Sequence, residues 1–344
     1  MTDRKNIIRF APTAAAWLLA VLLAACSTAT DEQLSQEEEG ERMPVSFSLG
    51  FDVSVTRTSI FENIWPNNTE ITVSNGTDKF DYITSSTSSL SASGEAVKIT
   101  PAVTADVNKR FYWPVSDKGW KFSAWYPAGD SPALSMTVEA NQSVQSDTNT
   151  DGIDEETFTG GDILYMAPTA AVWRSTVPLA LKHQHARVIV TVNTTQTEKH
   201  ETVTNIEFAN GRLGLTGTGT LNDAGEITWA ASGTSGITNM RDRTIEAQKK
   251  DNRYSFECLV PPQKDTNTEK ELIKIYTTGA IKEGTTDTPE PRVYTYKNAF
   301  DLQPGYQYTY NMVISEQGKV LLGSIVLTHW DMGTGVDDIQ TITQ

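Results

Sequence analysis

Apolar residues at every second position are the dominant pattern of this chain, and they predict β-strands almost throughout. In "VSFSLGFDVSV" the apolar positions are Val45, Phe47, Leu49, Phe51, Val53 and Val55, with small or polar residues between them. This reads as one long half-buried strand, followed at once by Thr56-Arg57-Thr58-Ser59. "TEITVSNG" ends on the turn pair Asn75-Gly76. "KRFYWPVSDKGWKFSAWYPAGD", from Lys109 to Asp130, reads as two aromatic strands around Asp117-Lys118-Gly119. "VPLALKHQHARVIVTVN" alternates at Val188, Val190 and Val192, and in "PGYQYTYNMVIS" Tyr306, Tyr308, Tyr310, Met312 and Ile314 share one face. The last apolar segment, "VLLGSIVLTHW", differs. Val320, Leu322, Val326 and Trp330 have one parity and Leu321, Ile325 and Leu327 the other, which predicts a strand buried on both faces.

Turn signals every 8–15 residues with scarcely a helical period indicate an all-β chain of antiparallel β-sandwiches. A length of 344 residues corresponds to about two domains. The acidic, Asn/Thr-rich stretch 141–161 and the run "APTAAVWRSTVP" straddle the midpoint. We therefore expect two tandem sandwiches, at 44–175 and 176–344. No repeat of 20–50 residues is visible, which argues against solenoids and propellers.

The first residues change the picture from fold to location. Arg4, Lys5 and Arg9 precede the 12-residue apolar stretch Ala14–Ala25, a signal-peptide pattern too short for a stable bilayer span. It ends Leu23-Ala24-Ala25-Cys26, which resembles a bacterial lipobox with Cys26 as the lipidated first residue of the mature chain. Residues 1–25 are then a lipoprotein signal peptide. Residues 26–43, acidic and poor in aromatics, are expected to be a flexible tether. The only other cysteine, Cys258, is expected to be a buried strand residue, and a lipidated Cys26 leaves no disulfide within the chain. The formal charge is −15; losing Arg4, Lys5, Arg9 and Asp3 leaves 25 basic against 42 acidic residues, about −17. No basic stripe exists to meet nucleic acid phosphates.

Candidate chemistry is sparse. There is no nucleophile elbow, phosphate-binding glycine loop or His-Glu-x-x-His motif, so no enzyme activity is expected. His183 and His185 would share a strand face, the beginning of a zinc site, but no Cys or carboxylate neighbour in sequence completes it, and a structural His185 is the stronger reading. Asp147, Asn149 and Asp151 before Gly152 match the first half of a calcium loop. Phe158 at the twelfth position cannot chelate, so a Ca2+ site with Asp154 or Glu155 substituting competes with a solvated acidic loop. Tyr112, Trp113, Trp120, Trp125 and Tyr126 are read either as a sugar-stacking platform or, more simply, as core.

Several of these segments, in order, resemble the fimbrillins, subunits of type V pili in Bacteroidia. They are the lipobox Cys26, the first strand ending in Thr56-Arg57-Thr58, "FYWPVSDKGWKFSAWYPAGD", "GDILYMAP", "VPLALKHQHARVIVTV", "LQPGYQYTYNMVI" and "LTHWDMGTG". The resemblance covers nearly the whole mature chain and implies two transthyretin-like sandwiches. It further implies export as an outer-membrane lipoprotein, cleavage by an arginine-specific protease between Arg57 and Thr58, and loss of the first strand. Deleting a core strand leaves unpaired backbone groups and open apolar pockets, a template for an incoming strand. Val45, Phe47, Leu49, Phe51, Val53 and Val55 would be the removable plug, and Val320–Trp330 with the tail is the candidate donor. Arg42 is a rival cut site, but cutting there sheds the protein with its strand in place. The implied partners are other fimbrillin subunits, in a cell-surface fimbria with roles in adhesion and biofilm. The alternative is a non-polymerising surface lipoprotein or tip adhesin that binds glycans or host proteins.

Overall fold

The computed structural model describes residues 42–50, 68–84, 97–116, 119–143, 162–194, 199–279, 281–282, 290–315, 319–330 and 340–342. The first part of the chain forms β1 (Phe47–Gly50), β2 (Glu70–Ser74), β3 (Lys79–Thr84), β4 (Val97–Pro101), β5 (Lys121–Tyr126), β6 (Ser135–Thr137), β7 (Leu164–Ala170), β8 (Val177–Ala180) and β9 (Lys182–His183). Turn chemistry sets the first hairpin: Gly76 takes the positive φ of +89°, and Asn75 Oδ1 accepts hydrogen bonds from the Thr77 and Asp78 amides. Eight of these strands pair in the order β8-β1-β4-β3-β2-β5-β7-β9. The two ends of that order are neighbours in the chain, separated by Leu181 alone. One segment thus pairs with β1 through its first residues and with β7 through its last, so the sheet closes on itself. Inside lie Phe47, Ile71, Val73, Tyr82, Phe122, Leu164, Leu179 and Leu181.

The aromatic stretch before β5 differs from its pattern. Instead of a strand, residues 109–116 make only an isolated bridge, Tyr112 with Pro44. Pro114 has no amide to donate to a ladder, and the Phe111 carbonyl is taken by the Val45 amide at 2.9 Å. Phe111 and Trp113 still turn inward, so hydrophobicity placed the side chains although the backbone is irregular.

The remainder forms β10 (Ala186–Asn193), β11 (Lys199–His200), β12 (Val203–Leu213), β13 (Thr216–Leu221), β14 (Ile227–Ser232), β15 (Ser235–Ile237), β16 (Arg241–Asp242), β17 (Arg253–Val260), β18 (Gln263–Asp265), β19 (Glu271–Thr277), β20 (Ile281–Lys282), β21 (Arg292–Lys297), β22 (Phe300–Leu302), β23 (Tyr306–Ile314), β24 (Val320–His329) and β25 (Gln340–Ile342). A sheet ordered β16-β17-β10-β23-β24-β25 faces one ordered β15-β12-β19-β21. Val188, Val190, Phe256, Tyr310 and Met312 from the first interleave with Ile206, Phe208, Ile273, Ile275 and Tyr294 from the second. Cys258 is fully buried among them. A third sheet, β14-β13-β6, borrows β6 from the first part of the chain. Among the described strands pairing is mostly antiparallel, and β1 with β8 and β10 with β23 are the parallel pairs. The two large cores divide between Leu181 and Ala186, inside one compact unit, Pro44–Gln344.

Strand β24 corrects the expectation of burial on both faces. Asn311 pairs with Ser324 but Met312 pairs with Leu322, so Gly323 is an extra residue in the ladder. Such a bulge shifts the side-chain parity by one. Val320 and Leu322 before it, and Ile325 and Leu327 after it, therefore face the same core, while Leu321 is 53% exposed. Four of the seven apolar residues thus share one face across the bulge, while Leu321, Val326 and Trp330 fall on the other, where Val326 is half-buried and Trp330 is buried against Leu259.

Candidate functional site

The alternation that opens the described chain places Val45, Phe47 and Leu49 on one side of β1. All three are buried, at 6%, 1% and 0% exposure, whereas Ser46 and Ser48 face outward or lie half-buried. Phe47 sits among three rings, all edge-on: Tyr82 at 5.0 Å, Phe122 at 5.1 Å and Phe111 at 6.1 Å between centroids. Its backbone is held on both sides. Phe47, Ser48 and Leu49 pair with Ile99, Lys98 and Val97 of β4, and Phe47 to Gly50 run parallel to Val177 to Ala180 of β8. A strand so placed is central to its sheet and near the start of the chain. Without β1, both β4 and β8 would present unpaired edges flanking three apolar pockets.

At the other end of the chain, β24 lies within its own sheet. It pairs with β23 from Val320 to His329, and among the described residues β25 covers its outer edge at Ile325, Val326 and Leu327. Where it ends, the buried Trp330 stacks on His183, centroids 3.7 Å apart and planes at 9°. Arg187 approaches the same indole, with its guanidinium 5.7 Å from the ring centre.

The two histidines find their carboxylate here. His183 Nδ1 is 2.6 Å from Asp162 Oδ2, and His185 Nδ1 is 3.4 Å from Asp162 Oδ1, with all three side chains fully buried. Burial works to raise the Asp162 pKa, but the charges of His183 and His185 and the His183 hydrogen bond overcome it and hold the carboxyl at about 2. Asp162 lies 21 residues before His183, and only the pairing of Leu164 with His183 brings it close. Sequence spacing gave no signal of it. Beyond Trp330 a second buried carboxylate, Glu257, gathers Arg187 at 2.7 Å, Arg243 at 2.8 Å and Arg241 at 3.6 Å. Trp330 lies between the two groups of ion pairs, against His183 and Arg187. Among the described residues no group of three or more His, Cys, Asp or Glu is arranged to hold a metal ion. Trp113 and Trp125 are buried and Trp120 packs against the first core, so these aromatic residues serve packing rather than an open stacking face.

A family model described as fimbrillin-like matches residues 56–330. The chain belongs to the fimbrillin-like family. No curated protein matches it. Among solved structures, a cell adhesion protein from Bacteroides ovatus is similar at 16% identity with a TM-score of 0.51, covering 83% of this chain and 97% of that one. A cell adhesion protein from Bacteroides uniformis is 18% identical with a TM-score of 0.48, over 83% and 99% of the two chains. A fimbrial assembly protein from Parabacteroides distasonis is 10% identical with a TM-score of 0.39, over 87% and 100%. The first of these shows a shared fold.

For a fimbrillin-like chain, the location of the expected processing residues matters. Cys26, Phe51, Val53, Val55, Arg57 and Thr58 lie outside the described residues, as do Asp147, Asn149 and Asp151 of the calcium reading. The family match begins at Thr56, so β1 and the residues up to Val55 lie before it. No helix among the described residues is long and apolar enough to cross a membrane.

Proposed function

We propose that this fimbrillin-like protein is a structural subunit of a cell-surface fimbria whose first strand is a temporary plug. The reading rests on the slot between β4 and β8, filled by Val45, Phe47 and Leu49 from the very start of the folded unit. The chain is exported as an outer-membrane lipoprotein through Cys26 and cut by an arginine-specific protease between Arg57 and Thr58. Loss of the strand opens the slot, and a strand of another subunit restores the ladder and fills the pockets. The C-terminal segment is a suitable donor because, among the described residues, β25 covers the outer edge of β24 at three positions. The chain after residue 43 is read as two sandwiches meeting near residue 176, and neither is assigned catalytic work.

Treating the folded protein with an arginine-specific protease tests this directly. The expected products begin at Thr58 and form oligomers of increasing size, and Arg57→Ala stops both. A cut chain that keeps residues 44–57 bound and stays monomeric overturns the proposal.

A further inference from the structure

The end of the first sandwich where the chain enters carries features that packing does not explain. Tyr112 bridges Pro44, the Trp173 indole donates to the Pro114 carbonyl at 3.1 Å, and the Ala171 amide donates to the Trp120 carbonyl at 2.8 Å. Segments 101–116, 119–121 and 171–176 therefore lie together at this pole. Four of their valines point into solvent: Val115 is 95% exposed, Val172 74%, Val107 58% and Val103 51%. Half-buried Trp173 lies beneath the Arg174 guanidinium, 4.4 Å from its ring centre. The described residues of these segments carry four cations, Lys109, Arg110, Lys121 and Arg174, against one carboxylate, Asp106, and the adjoining β2–β3 hairpin adds Asp78, Lys79 and Asp81, so the pole keeps a cationic excess on a chain of formal charge −15. A basic pole studded with apolar side chains and a tryptophan is the chemistry of a surface that meets anionic lipid.

We propose that this pole docks on the anionic headgroup layer of the membrane that holds the Cys26 lipid, with Val115 and Val172 entering the interface and Trp173, packed on the first core, lying behind them. The inference rests on the lipoprotein reading above. Eighteen residue steps separate Cys26 from Pro44. At roughly 3.4 Å each they keep the pole within about 60 Å of the bilayer. Tethering makes docking intramolecular, so a patch too weak to bind from free solution is sufficient beside the membrane. Cations attract the headgroups and the valines supply the apolar contact. The acidic run Glu37-Glu38-Glu39, between the lipid and the pole, opposes close approach and keeps the docking reversible.

The test uses the mature, uncut chain with Cys26→Ser, so that no lipid is attached, in co-sedimentation with vesicles. Phosphatidylcholine vesicles containing phosphatidylglycerol are expected to retain the protein at low salt, and pure phosphatidylcholine vesicles to leave it in solution. Lys121→Glu with Arg174→Glu lowers the partition by about tenfold or more. Val115→Glu with Val172→Glu does so by a similar factor, about tenfold, and folding is spared because both positions are exposed. No retention on phosphatidylglycerol, or retention equal in parent and variants, overturns the proposal. The assay needs neither lipidation nor strand exchange, so its failure leaves the assembly reading to its own protease test.

Discussion

Replacing Phe47 with alanine probes how firmly the first strand is seated. The side chain is 1% exposed and has edge-on contacts with Tyr82, Phe122 and Phe111. Truncating a buried phenylalanine costs about 3–5 kcal/mol, transfer and cavity together. Edge-to-face pairs add roughly 0.5–1.5 kcal/mol each beyond area, which places this site toward the upper end, about 4 kcal/mol. Collapse of the cavity is opposed because two of its walls are strands fixed by their own ladders, β4 to β3 and β5 to β2. Ser48→Ala, on the opposite face of the same strand, is the control and is expected within about 0.5 kcal/mol of the parent. Urea unfolding followed by tryptophan fluorescence reads the correct region, since Trp113 and Trp120 lie 6.4 Å and 5.7 Å from the Phe122 ring in the same core. A loss below about 1 kcal/mol for Phe47→Ala, or one equal to that of Ser48→Ala, refutes the seating of β1 and with it the idea of a structural plug.

Three further outcomes follow from other sites. Because Asp162 is held at about 2, below its ordinary 3.8, the unfolded chain takes up the proton first as pH falls. Its contribution, on the order of 2 kcal/mol, is therefore present above about pH 4 and lost as pH falls through 2. Acid titration of stability should show this dependence in the parent and not in Asp162→Asn, which itself loses about 3 kcal/mol at neutral pH by removing the buried carboxylate beside His183. Gly225→Ala should cost about 2 kcal/mol or more, read by thermal unfolding, because φ is +77° and an added Cβ falls 2.5 Å from Pro168 Cδ. Deleting Gly323 removes the bulge and turns either Val320 and Leu322 or Ile325 and Leu327 away from the core. The chain should lose about 3 kcal/mol or more, or yield insoluble protein, and unchanged stability on denaturation would refute the bulge.

The half-buried strands were plain in the sequence because period-two alternation is a local signal. Val45, Phe47 and Leu49, and Tyr308, Tyr310, Met312 and Ile314, all turn inward as their spacing required. What the pattern could not carry was long-range. That β1 lies between β4 and β8, parallel to a strand 130 residues later by its Phe47–Val177 register, depends on closure of the whole sheet. Asp162 completes the histidine pair only through a ladder that brings Leu164 beside His183. Gly323 hid its bulge because a glycine has no side chain to mark where the alternation shifts by one. In residues 109–116 hydrophobicity placed Phe111 and Trp113 inward but not Val115, which is 95% exposed, while Pro114 and turns denied the segment a ladder. The slot around β1 was legible on its strand side and invisible on its receptor side for the same reason.

The most direct measurement is the intact mass and N-terminal sequence of the protein collected from the cell surface. A chain beginning at Thr58 is the result predicted by a removable first strand. A surface chain still beginning at lipidated Cys26, with Phe47 in place between β4 and β8, would contradict it and make Arg57 an ordinary residue after a permanent strand.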